Sequence, residues 1–179
     1  PGGMFYTAQS GIWQTVWLEE VPEIYIRDLK ITPLFDAESI EITVRTSAPV
    51  PVFITLGDRT AETRPDIPCR LPVPDMHAWS PEDPYLYSFS VNAGKDRVGS
   101  YFAMRKYSVG KDSRGISRLF LNNRPYFENG VLDQGYWSDG LYTAPSDEAL
   151  IYDIKAMKNL GFNMLRKHIK IEPLRWYYH

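Results

Sequence analysis

Cysteine is nearly absent. A single one, Cys69, stands among 179 residues, so no disulfide can form within the chain. It sits in a proline-rich stretch, Pro65 to Pro74, with no histidine or second cysteine at ligand spacing. That reads as a structural thiol, and no metal site is expected. An excess of one charge is missing too: 20 Lys and Arg stand against 22 Asp and Glu, for a net −2. The two signs are mixed along the chain, which lacks the basic footprint of a nucleic-acid binder. No apolar run is long enough to cross a bilayer, so no membrane partner is expected. A glycine-rich phosphate loop and a nucleophile elbow are also lacking. Their absence removes support for an α/β enzyme of another class, and no cofactor is expected.

Aromatic residues are plentiful, with 12 Tyr, 8 Phe and 5 Trp. Most are expected to fill β-sandwich cores and seams; a few can serve as platforms for sugar rings.

Along the chain the hydrophobic period changes. Ile12, Trp13, Val16 and Trp17 read as a lone strand, Ile12 to Leu18. From Glu23 to Tyr107 the pattern is all β. Ser39 to Thr46 alternates most cleanly, with Ile40, Ile42 and Val44 on one face, as a half-buried strand does. Val50 to Leu56 is a second strand closed by Gly57-Asp58. Leu86 to Val91 and Val98 to Met104 pair through a turn at Asn92 to Asp96, where Gly94 supplies positive φ. About six or seven short strands over roughly 85–90 residues is the signature of an immunoglobulin-like sandwich.

After Lys106 the period shifts again. Ile116 to Leu121, the turn Asn122-Asn123-Arg124-Pro125 and Tyr126 to Leu132 read as a hairpin leading into a strand. Ser146 caps a helix with Asp147 and Glu148 in its first turn. Leu150, Ile154 and Met157 give that helix its apolar stripe, and Gly161 ends it. Phe162 to Arg166 is the next strand, and Pro173 opens another helix. The order β, α, β, α is how parallel α/β architecture begins. The repeat starts and is not finished, so the chain is expected to be a piece of a larger protein; the opening Pro1-Gly2-Gly3 agrees with that.

In a (β/α)₈ barrel, functional side chains stand at the carboxyl ends of strands. The first strand here ends at Asp133-Gln134-Gly135-Tyr136-Trp137, the second at Arg166-Lys167-His168. Each candidate has a plain structural alternative. Arg166 can be one half of a structural ion pair, and His168 a satisfied structural histidine. Asp133 can brace the loop to Ser146, and Trp137 can be seam packing. Of Lys167 and Lys170, one is expected to be solvated and one functional, with Lys170 the inward one. Glu172, just before Pro173, reads as a helix cap rather than a catalytic acid.

These residues resemble those of glycoside hydrolase family 2. Ser10-Gly11-Ile12-Trp13-Gln14-Thr15-Val16-Trp17-Leu18 is similar to the strand that ends the family's jelly-roll domain. Trp79-Ser80-Pro81-Glu82-Asp83-Pro84-Tyr85-Leu86-Tyr87 resembles a segment of its immunoglobulin-like domain. Leu121-Asn122-Asn123-Arg124-Pro125 resembles the hairpin that enters its barrel. Asn129 to Gln134 and Gly161 to His168 resemble the first two barrel strands. Five motifs fall in the correct order across essentially the whole chain. The resemblance implies three parts: residues 1–22 from the end of the jelly roll, 23–110 the immunoglobulin-like β-sandwich, and 111–179 the start of a TIM barrel. The fold expected is therefore mainly β, with an incomplete (β/α)₈ barrel of two βα units behind the sandwich.

The resemblance also implies a retaining glycosidase that is β-galactosidase-like, acting on a carbohydrate. Arg166 then lies in the sugar subsite and braces the nucleophile, with His168 as a nearby substrate ligand. Two departures stand out. Gln134 replaces the motif's histidine and Leu132 its asparagine, and Asp133 with Gln134 is expected to reach sugar hydroxyls instead. Retaining hydrolysis needs two carboxylates roughly 5–5.5 Å apart. The family's two catalytic glutamates fall on later strands, so this chain alone is expected to be inactive, with self-association through its open barrel faces. The rival reading is a non-catalytic β-sandwich module that binds carbohydrate or joins domains.

Overall fold

The computed structural model describes residues 6–179. They fall into two compact units: Glu19–Phe127, and the residues up to Leu18 together with Glu128–His179.

The larger unit is built on alternation. β2 (Ser39–Thr46) buries Ile40, Ile42 and Val44 completely, each contributing about 1.5–3 kcal/mol by leaving water. It pairs antiparallel with β1 (Ile26–Leu34) and β5 (Cys69–Pro72) in a three-stranded sheet. A second sheet of four runs in the order β4 (Arg59–Thr63), β3 (Val52–Leu56), β6 (Tyr87–Ala93), β7 (Asp96–Phe102). Its inward residues Val52, Ile54, Phe89, Val91 and Phe102 share one core with Ile40, Ile42, Val44 and Leu71 of the first. The β6–β7 turn is Gly94-Lys95, and Gly94 has φ +60°. A positive φ at the first central residue is what a two-residue hairpin of this hand requires.

One of these strands runs where a loop is expected. The proline-rich stretch carries β5, an edge strand whose Leu71 enters the core. Edge placement is what tolerates its prolines. Cys69 packs partly buried against that core, and burial pushes its thiol pKa up, which fits an inert structural cysteine.

β8 (Tyr107–Lys111), β9 (Ser117–Leu121) and β10 (Arg124–Pro125) form a third antiparallel sheet. Asn122 and Asn123 both have positive φ, 53° and 65°, the type I′ geometry that asparagine tolerates.

In the smaller unit, β11 (Gly130–Asp133) and β12 (Met164–Lys167) are parallel neighbours joined through α1 (Asp147–Asn159). The Ser146 hydroxyl accepts from the Ala149 amide as the N-cap. Gly161 follows the C-cap with φ +90°. A short α2 (Leu174–Tyr178) follows Pro173.

Ile12 to Leu18 is not a strand. It pairs with no other strand among the described residues, and Ile12 and Leu18 are 83% and 94% exposed. Its polar contacts go instead to loops of its own unit. Gln14 donates to the Ile171 carbonyl, and the Thr143 hydroxyl donates to that of Trp13. Alternation supplies the pattern of a strand, but a strand also needs a neighbour's backbone.

Candidate functional site at the strand exits

Register decides which exit residues meet. Leu132 is opposite Arg166 and Asp133 opposite Lys167. Successive side chains alternate between faces, so two sets emerge. Val131, Asp133, Leu165 and Lys167 are half-buried, while Leu132 and Arg166 are exposed. Asp153 of α1 feels the charges of Asp133 and Lys167, which marks theirs as the helix-facing side.

On that side the charges close on themselves. Lys167 Nζ lies 2.8 Å from Asp133 and 2.7 Å from Glu172 Oε1. Lys170 Nζ lies 3.1 Å from the same Glu172 oxygen and donates to the Gly135 carbonyl at 2.6 Å. The side chains of Lys170, Glu172 and Lys167 are only 1%, 3% and 9% exposed. Two ammoniums and two carboxylates leave the cluster neutral, as a buried charged group requires. Aromatic faces complete its walls: Lys167 stands 4.5 Å from the Trp176 ring centre, and Lys170 5.0 Å from that of Tyr142.

Two expectations are corrected here. Lys167 is not solvated; both lysines point inward. Glu172 is not a helix cap, because Pro173 occupies the N-cap of α2 and no side chain caps it. Its carboxylate is the hub of the cluster, and nothing in the local sequence shows that, since Asp133 lies 34 residues from Lys167. Asp133 also accepts from the Gly135 amide at 2.9 Å, bracing the loop it opens.

Arg166 lies on the other face of β12, and Gln134 and His168 meet just past the strand ends. Gln134 Nε2 is 2.9 Å from His168 Nδ1, and the His168 amide donates to the Asp133 carbonyl at 2.9 Å. Arg166 is exposed and forms no ion pair among the described residues. Trp137 makes a backbone bridge to Leu141, and its indole Nε1 is enclosed without a partner. The neighbouring aromatics pack on one another: Tyr136 stacks on Tyr6 at 4.5 Å, and Tyr142 meets Trp13 edge-on at 4.8 Å. Of the six sequence candidates, Gln134 and His168 meet just beyond the strand ends, while Arg166 is exposed on β12. Asp133 and Lys170 belong to the buried cluster, and Trp137 lies in the exit loop. Among the described residues no group of three or more His, Cys, Asp and Glu could hold a metal ion.

The fold has known counterparts. A β-galactosidase of Photobacterium profundum is 30% identical over 94% of this chain and 19% of its own length. One from Oenococcus oeni is 26% identical with the same coverage. Among solved structures, a Faecalibacterium prausnitzii β-glucuronidase superposes with a TM-score of 0.71 at 21% identity, over 88% of this chain and 26% of that one. A GH2 β-galacturonidase from Eisenbergiella tayi gives 0.68 at 20% identity, over 88% and 30%. This chain is similar in sequence to β-galactosidases and shares its fold with the GH2 β-galacturonidase. It spans about a fifth of the length of the curated relatives it matches. No family model matches it. The likeness to the β-galactosidases takes in 94% of the chain and so runs through both compact units.

Proposed function

We propose that the protein carrying this sequence is a retaining glycoside hydrolase. It cleaves O-glycosidic bonds of β-linked sugars, β-galactosides in the first instance, as the names of its sequence relatives indicate. In this reading residues 23–110 are the immunoglobulin-like sandwich, 111–179 begin the (β/α)₈ catalytic barrel, and 1–22 end a jelly-roll domain. The observation that carries it is the open face of β11 and β12. Gln134 and His168 meet at the carboxyl ends of two parallel strands, with exposed Arg166 in the paired stretch of β12, where barrel enzymes place their chemistry.

Mechanistically, this face supplies binding and not proton transfer. Arg166 is a permanent cation with several donors, suited to bracing a carboxylate or a sugar oxygen. Glu172 is saturated by two lysines and buried, so it offers no acid or base. The 179 residues alone are therefore inactive, and the nucleophile and the acid/base belong to other strands.

The test uses the full-length protein and a p-nitrophenyl β-galactoside. Hydrolysis with retention at the anomeric carbon is expected. Arg166→Ala is expected to lower kcat/KM by about 100-fold or more, the scale of losing one preorganised donor. Unchanged turnover would remove Arg166 from the site. Sugar binding with no hydrolysis would favour the non-catalytic module.

A further inference from the structure

The sense of the contact between Gln134 and His168 follows from the orientation of the Gln134 amide. An amide nitrogen donates and cannot accept. With the amide turned so that Gln134 Nε2 lies 2.9 Å from His168 Nδ1, Nδ1 accepts and carries no proton. The neutral imidazole then keeps its single proton on Nε2, at the far side of the ring.

We propose that Gln134 is a positioning residue: it locks His168 in the Nε2–H tautomer, so the ring offers a hydrogen-bond donor to an oxygen acceptor on the open face. That the acceptor is a sugar hydroxyl rests on the glycosidase reading above; the tautomer does not.

The surroundings make Gln134 suited to this task. The residues on either side of it are anchored by the buried cluster. Asp133 is held by Lys167 at 2.8 Å, and the Gly135 carbonyl by Lys170 at 2.6 Å. His168 is fixed from the backbone by the Asp133 carbonyl. Both partners are half-buried, where a hydrogen bond is stronger than in water. The cluster thus sets the loop, the loop sets Gln134, and Gln134 sets the proton on His168. Arg166, two residues before His168 and exposed on β12, offers further donors. A face of donors suits oxygen ligands.

The experiment needs no substrate. Histidine side chains of the 179-residue chain are labelled with ¹⁵N, and two-bond ¹H–¹⁵N correlations are recorded at about pH 8.5, where an ordinary imidazole is neutral. The chain has three histidines, so the set lost in His168→Gln identifies the residue. The native chain is expected to show an unprotonated Nδ1 and a protonated Nε2. Gln134→Glu offers an acceptor in place of a donor and is expected to move the proton to Nδ1; Gln134→Ala gives a mixture. A glutamine that merely fills space would alter stability and leave the proton where it was. A protonated Nδ1 in the native chain overturns the proposal, and that measurement stands even if a variant fails to fold. An unmoved proton in folded Gln134→Glu overturns it as well. The expected tautomer in a protein that hydrolyses no glycoside would instead sink the functional reading and leave Gln134's role intact.

Discussion

Gly135 is where backbone geometry and buried charge meet. Its φ of +58° lies in the left-handed region, and a Cβ built there would sit 2.2 Å from Glu172 Oε1 and 2.9 Å from Lys167 Nζ. Any side chain must therefore displace the hub of the cluster, at a left-handed cost of roughly 1–2 kcal/mol plus an overpacking cost of roughly 1–3 kcal/mol. Gly135→Ala is expected to lower the stability of the smaller unit by about 2 kcal/mol or more by those same costs. Urea unfolding followed by tryptophan fluorescence measures this, since Trp13, Trp137 and Trp176 all lie in that unit. A change within 0.5 kcal/mol, the ordinary range for a surface site, would show that the loop accommodates a Cβ freely. The strand-exit residues were legible as a set, because the switch to helical period and the barrel rule place them. Their partition was not. Strand alternation puts Asp133 and Gln134 on opposite faces, yet only the parallel register with Lys167 reveals that Asp133 is consumed by a counterion. Lys170 is inward as expected, while the burial of Lys167 shows only through its distant partner Asp133.

Among the elements, β2 and α1 were readable for the same reason: their periods are set by one buried face. Ile40, Ile42 and Val44 all vanish into the core, and Ser146 caps where its neighbours' charges indicated. β5 and β8 were not readable. β5 is an edge strand of four residues with a single buried apolar side chain, and β8 exposes every second residue without a core face. On α1, Asp153 carries an electrostatic cost. Its pKa is raised by desolvation, then by repulsion from Asp133, against a smaller attraction to Lys167. A folded-state pKa above the unfolded one means that the folded chain retains a proton the unfolded chain has released. Stability then falls as pH rises from the unfolded value toward the raised folded one, and the loss persists at neutral pH. Asp153→Asn removes that slope. Its melting temperature is expected to exceed the native one by more at about pH 7 than at about pH 4, near the ordinary aspartate pKa. Equal differences at both pH values would show that Asp153 does not titrate against the cluster.

At the scale of the whole molecule, the two units are held by different physics. Glu19–Phe127 has a core of twelve buried apolar residues centred on β2, β3 and β6. In the smaller unit the one fully buried apolar side chain among the described residues is Leu150; its other buried groups are Lys170 and Glu172. Apolar burial is the dominant favourable term in folding, whereas a buried ion cluster roughly offsets its own desolvation. The smaller unit is thus expected to open at lower free energy than the larger one. Amide exchange in a dilute sample should be slowest in β2, β3 and β6, and faster in α1, β11 and β12. Leu132, Ile171 and Leu174 are exposed apolar side chains of the same unit, so exchange there is the readout for self-association. Protection in α1 and β12 that rises with protein concentration would place a second chain on those side chains. Faster exchange at every concentration would leave the unit marginal on its own. Slow exchange of equal degree in both units of a dilute monomer would contradict the division, because it would show that a neutral cluster of two lysines and two carboxylates stabilises as much as a twelve-residue core.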